Sequence, residues 1–114
     1  MSIEQYRKEM AEAEKHKPRA ASALALIDIA LEHGSSSAKT AALIILSLEA
    51  DNWYKFSPIV LVNLDTKTRS HANNVLLGVE GGDFLPSEWL ERIGIDVKDK
   101  IKKLHDKWSM LRVN

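Results

Sequence analysis

Residues 18–48 read PRAASALALIDIALEHGSSSAKTAALIILSL, and this stretch decides the fold. Ala and Leu are the strongest helix formers among apolar residues, so Arg19 to Leu31 is predicted to be a core helix. At about 100° per residue, Ala20, Ala23, Leu24, Ile27 and Leu31 fall on one face, and Ala21, Asp28 and Glu32 on the other. Asp28 is thereby expected at solvent rather than as a buried catalytic carboxylate. Gly34 is a natural stop, and Ser35-Ser36-Ser37 supplies capping oxygens for a second helix, Ala38 to Leu48, which has almost no polar face. The short link makes the pair an antiparallel hairpin, its alanines allowing close approach, with the second helix the most buried. That helix is too short to cross a bilayer, which takes about 20 residues.

Working outward, residues 2–16 are dense in helix formers, with Ile3, Tyr6, Met10 and Ala13 at three- and four-residue spacing and Glu4 set four before Lys8. Residues 1–17 therefore form an amphipathic helix with a thin apolar stripe, docked loosely or against another molecule, which Pro18 is expected to end. On the other side of the hairpin, Trp53, Tyr54 and Phe56 form an aromatic cluster that either covers the end of the core or meets a partner. Ser57-Pro58 has the chemistry of a helix start. A short helix is preferred for Ile59 to Leu64, because a lone strand would leave its backbone unpaired. Asp65 is expected to cap a helix running to Val79, with Ala72, Val75, Leu76 and Val79 inward and the pair Gly81-Gly82 stopping it. Pro86-Ser87 opens another, Glu88 to Ile93, closed by Gly94. Asp96 caps the last, whose apolar residues Val97, Ile101, Leu104, Trp108 and Leu111 make a narrow seam. Two heptads are short for a free coiled coil, so the seam serves either its own domain or an intermolecular contact.

The chain has 114 residues, with 16 Lys+Arg against 16 Asp+Glu and 45% hydrophobic residues, which fits one globular domain over residues 1–114. It has no cysteine, which removes disulfides and thiol chemistry and fits a reducing compartment. With a charged start and no apolar run of membrane-spanning length, it is expected in the cytoplasm. A formal net charge of zero argues against a general nucleic-acid binder, since displacing counterions takes excess Lys and Arg.

The sequence holds no familiar catalytic arrangement, and no enzyme activity, metal or cofactor is expected. Gly81-Gly82 leads to Asp83-Phe84-Leu85 without the Lys-Ser/Thr of a phosphate loop. The histidines His16, His33, His71 and His105 are too widely spaced for two to share a helical turn around zinc. Glu88 and Glu91 read as an exposed face, and the serine triplet as a cap. An enzyme would need a deep pocket gathering at least two of the dispersed histidines and carboxylates.

Two candidate binding sets remain. The aromatic cluster and the last helix offer Trp53, Tyr54, Ile101, Leu104 and Trp108 to a protein partner or a second copy, because Trp and Tyr dominate interface hot spots. The alternative is a small DNA-binding regulator using Lys67, Arg69, His71, Asn73 and Asn74 on the helix that begins at Asp65, where hydrogen-bonding side chains concentrate as they do on recognition helices. Charge is segregated as well. Lys98, Lys100, Lys102, Lys103, Lys107 and Arg112 outnumber the acids of the last helix, whereas Glu80, Asp83, Glu88, Glu91 and Asp96 face Arg92 alone, a pattern suited to self-association, to a charged protein partner or to internal pairing.

The run Leu24-Ala25-Leu26-Ile27-Asp28-Ile29-Ala30, the apolar helix Ala41 to Leu48, and Phe56-Ser57-Pro58-Ile59-Val60-Leu61-Val62-Asn63-Leu64-Asp65 leading to Val75-Leu76 resemble an uncharacterised family of small bacterial proteins found among phage and plasmid accessory genes. The resemblance spans Ala20 to Val79 and implies a small helical accessory protein from a mobile element, with no catalytic residues to carry over. Together these readings give an all-α bundle of five to seven helices around the Ala20–Leu48 hairpin, acting as a non-enzymatic interaction protein.

Overall fold

The computed structural model describes residues 2–113, with side chains for all of them except Tyr6 and residues 8–17. Five α-helices and two short 3-10 helices are present among these residues, with no strand beyond an isolated bridge between Glu80 and Asp83. The chain is all-α, as its apolar periodicity predicts.

The first helix, α1, runs from Ile3 to Glu32 and corrects the expected break at Pro18, which lies inside it. Proline's fixed φ is itself helical, so the chain can continue at a cost of about 3 kcal/mol for the lost bond and the crowded carbonyl one turn back. Strong helix formers before Pro18 and a buried face after it offset that cost. Ser2 caps the start by accepting the Gln5 N–H at 3.1 Å. Of the expected apolar stripe, Tyr6, Met10 and Ala13 lie outside the described side chains, and Ile3 is exposed.

The buried residues begin at Arg19 and include Ala20, Ser22, Ala23, Leu26, Ile27 and Ala30. This face is wider than the expected stripe: Leu26 and Ala30 are sealed, whereas Leu24 and Leu31 are only half-buried. The reason is that α1 has neighbours on several sides, touching all four later α-helices. Asp28 is half-exposed and pairs with Lys100 at 2.7 Å, as a solvent-facing carboxylate should.

Helix α2, Ser36–Glu49, completes the hairpin, with Ser35 Oγ accepting the Ala38 N–H at 3.2 Å and seven residues fully in the core. The expected helix after Ser57-Pro58 is a 3-10 turn, Pro58–Asn63, which leaves Ile59 and Val62 at solvent. Asp65 then caps α3, Thr66–Leu77, through a 2.8 Å bond from the Thr68 N–H, which holds its carboxyl below the ordinary range. This helix ends at Leu77, two residues short of the expected Val79, with Gly78 at its cap, and Val79 is exposed. Gly81-Gly82 instead turns the chain between Glu80 and Asp83, with Gly82 at φ +81°, a conformation that glycine adopts without strain.

Helix α4, Pro86–Arg92, closes in a Schellman motif: Ile95 N–H reaches Leu90 O at 2.9 Å, Gly94 N–H reaches Glu91 O at 3.0 Å, and Gly94 takes φ +83°. Helix α5, Lys98–Lys107, starts one residue later than expected. Val97 occupies the cap position, and Asp96 accepts the Lys98 N–H at 3.0 Å from just outside the helix. A 3-10 turn, Ser109–Leu111, follows. No helix among the described residues is long and apolar enough to cross a membrane.

Candidate functional site

The seam of α5 belongs to the core. Val97, Leu104 and Trp108 are buried and Ile101 is half-buried, because the helix lies on α1 and α2. Trp108 Nε1–H donates to Ala30 O at 2.9 Å, beside Lys107, whose ammonium donates to the carbonyls of Ala30, Leu31 and His33 at 2.8, 2.9 and 2.5 Å. These bonds satisfy the open C-terminal carbonyls of α1 and set a cation against the negative end of its dipole. Tyr54 is likewise sealed, its hydroxyl 3.3 Å from His105 Nδ1, and burial pushes its pKa up. Tyr54, Leu104 and Trp108 are thus used inside the fold, which corrects their placement in a partner-facing set.

Trp53 is different. It is 46% exposed, and the Arg112 guanidinium stacks on its ring, 4.2 Å from Cζ to the centroid. The C-terminal residues are held beside it by a 2.8 Å bond from the Val113 N–H to Trp53 O. Val113, 55% exposed, extends the apolar surface, and Met110, 71% exposed, precedes Arg112 by two residues. Trp and Arg are among the residue types enriched at protein interfaces, and here they stack on one another. The sequence pointed to Trp53, and separately to Arg112 as part of the basic last helix, but not to Met110 or Val113 or to the pairing of Arg112 with Trp53, because nothing local says that the end of the chain returns to residue 53.

The polar cluster on α3 is partly committed to internal bonds. His71 Nδ1 lies 3.1 Å from Ser22 Oγ, and Asn74 Nδ2 donates to the same oxygen at 2.9 Å, tying α3 to α1. Arg69 donates to Leu61 O at 3.0 Å, and Lys67 and Asn73 are exposed. Two of the five residues proposed to read DNA, His71 and Asn74, therefore tie α3 to α1, and Arg69, though exposed, bonds to the preceding 3-10 turn.

The densest polar constellation was not legible in the sequence. Asp83, set by the Gly81-Gly82 turn, receives Arg19 at 2.5 Å, Arg92 at 2.8 Å and Trp89 Nε1–H at 3.1 Å. Arg19 is buried, also donates to Gly78 O, and lies over the Trp89 ring at 4.5 Å. Burial pushes the Asp83 carboxyl up, but the hydrogen bonds and charges of Arg19 and Arg92 outweigh it and hold the pKa at about 2. Gly78 is needed for close approach, since a Cβ there would sit 2.5 Å from Arg19 Cδ. This cluster is a brace: every oxygen of Asp83 already has a donor.

Glu49, at the end of α2, accepts the Ser87 N–H at 2.6 Å and the Ser87 hydroxyl at 3.0 Å, docking the start of α4. Burial raises its pKa more than the Ser87 bonds lower it. Beside this joint is an open hollow of about 330 Å³, lined by Ser87, Glu91, Gly94, Ile95, Asp96, Val97 and Lys98. It gathers two carboxylates but no histidine, and Glu91 and Asp96 both stand at solvent, without the burial that tunes a catalytic acid. A second cleft, about 180 Å³, lies between Pro18, Arg19, Asn74, Leu77 and Gly78. No group of three or more acids and histidines among the described residues could hold a metal ion. The chain matches no protein-family model, no curated protein and no solved structure.

Proposed function

We propose that the chain is a non-enzymatic interaction protein, an accessory protein of a mobile element, that binds a protein partner through the surface around Trp53. The observation that carries this reading is the half-exposed indole with a guanidinium stacked on it and Val113 bonded alongside. A large ring held rigidly at the surface loses little entropy on binding and buries a large area, which is why such residues become hot spots. DNA reading from α3 has less support, because Arg69, His71 and Asn74 are engaged within the fold.

The test is affinity capture from a lysate of the source organism, with wild-type protein compared with Trp53→Ala and Arg112→Ala. Both residues are exposed, so the variants are expected to fold and to lose a partner that the wild type retains. Equal retention by all three proteins would refute the assignment of this surface.

A further inference from the structure

We propose that the Trp53 surface docks onto the acidic hollow between α4 and α5 of a second copy of this chain, twice in one closed dimer. The inference rests on the interaction reading above and names its partner.

Charge is the first argument. Arg112 offers one face of its guanidinium to Trp53, and among the described residues it has no carboxylate partner. Glu91, which lines the hollow together with Asp96 and Lys98, likewise enters no ion pair among those residues. A stacked guanidinium with a free N–H edge is the preferred receptor for a carboxylate, because its planar fork matches two oxygens. The two carboxylates of the hollow outnumber Lys98, so its excess charge is opposite to that of Arg112.

Shape is the second. Gly94, Ile95 and Val97 give the hollow an apolar part, and Ile93 beside it is 38% exposed. Its volume of about 330 Å³ admits a protruding side chain such as Met110, which is 71% exposed. An apolar centre with a charged rim is the usual composition of a specific interface.

Placement is the third. Glu49, the last residue of α2, holds Ser87, which lines the hollow, and Trp53 follows Glu49 by four residues. Both surfaces therefore flank the same end of α2. A two-fold axis at that end lets each copy give its Trp53 surface to the other's hollow, so that the contact closes on itself. A stable interface needs roughly 800 Å² from each partner, and the chain exposes 7023 Å² in all.

The experiment is light scattering over a concentration series, at low and high salt, for wild type, Glu91→Arg, Arg112→Glu and an equimolar mixture of the two variants. Wild type is expected to form a dimer that weakens with salt, and each variant alone to associate at least tenfold more weakly. The mixture should recover the dimer, since one contact then keeps the native pair and the other brings the two substituted charges together with attraction. General damage to the fold would not be repaired by mixing. A wild type that stays monomeric, a mixture that stays apart, or growth beyond a dimer would each overturn the proposal. If a monomeric wild type still captures a foreign protein that Trp53→Ala does not, the interaction reading stands and only the identity of the partner fails.

Discussion

Asp83 shows how much one side chain can organise. Its carboxylate receives Arg19, Arg92 and Trp89, joining α1 to α4 across a glycine turn. Asp83→Asn would leave the buried Arg19 guanidinium without its counter-charge, and breaking such a pair costs about 3–5 kcal/mol, to be measured by urea denaturation near neutral pH. The folded carboxyl titrates at about 2 against 3.8 unfolded, so the unfolded chain takes up protons first as the pH falls. The contribution is about 2 kcal/mol; it is complete above the unfolded value and lost as pH falls through about 2. Repeating the denaturations between pH 6 and pH 2 should therefore show the gap between wild type and Asp83→Asn narrowing toward the acid end. A constant gap would mean that the loss comes from packing, not charge. At this scale the sequence was legible where a residue acts on its neighbours, as Ser35 and Asp65 do in capping. It was illegible for Asp83, whose chief partner is 64 residues away.

At the scale of the element, α1 is held at its C-terminus by α5. Lys107 and Trp108 take carbonyls that the helix cannot satisfy itself, and Gly34 beyond it does not adopt a positive φ. The end of α1 is thus secured from another helix and not by the local glycine. Lys107→Met keeps the aliphatic stem and removes the ammonium, and is expected to lower stability by about 1–2 kcal/mol, with hydrogen exchange rising in the last turn of α1. Unchanged protection there would show that water replaces the ammonium without loss. Helix starts could be read from Ser35, Asp65 and Pro86, because capping acts over three residues. The continuation through Pro18 could not, since local chemistry argued for a break and the packing of residues 19–32 prevailed. The stop of α3 at Gly78 was missed for a similar reason: Gly78 is fixed by the Arg19 side chain that crosses it, whereas Gly81-Gly82 only looked like the stronger signal.

For the whole molecule, α1 contacts α2, α3, α4 and α5, so no later helix can leave without uncovering it. Trp89 on α4 and Trp108 at the end of α5 are both buried, and with Trp53 replaced by Phe their fluorescence reports the last two α-helices of the chain. Unfolding followed by tryptophan emission and by far-ultraviolet circular dichroism should give one coincident midpoint, as cooperative packing requires. Earlier loss of the fluorescence signal would identify α4 or α5 as a separately opening unit. The same arrangement decides which aromatics face outward, with Tyr54 and Trp108 taken into the core and Trp53 left at the surface under Arg112. By itself the sequence determined the helical class, the central hairpin and most helix starts, because periodicity and capping are written within a few residues of where they act. Only the tertiary structure decided which apolar residues remain exposed, which α3 polar groups are tied to Ser22, and that residues 110–113 return to Trp53. Those outcomes depend on contacts between residues about 50 or more apart in the chain, and no local pattern encodes which distant partner a side chain will meet.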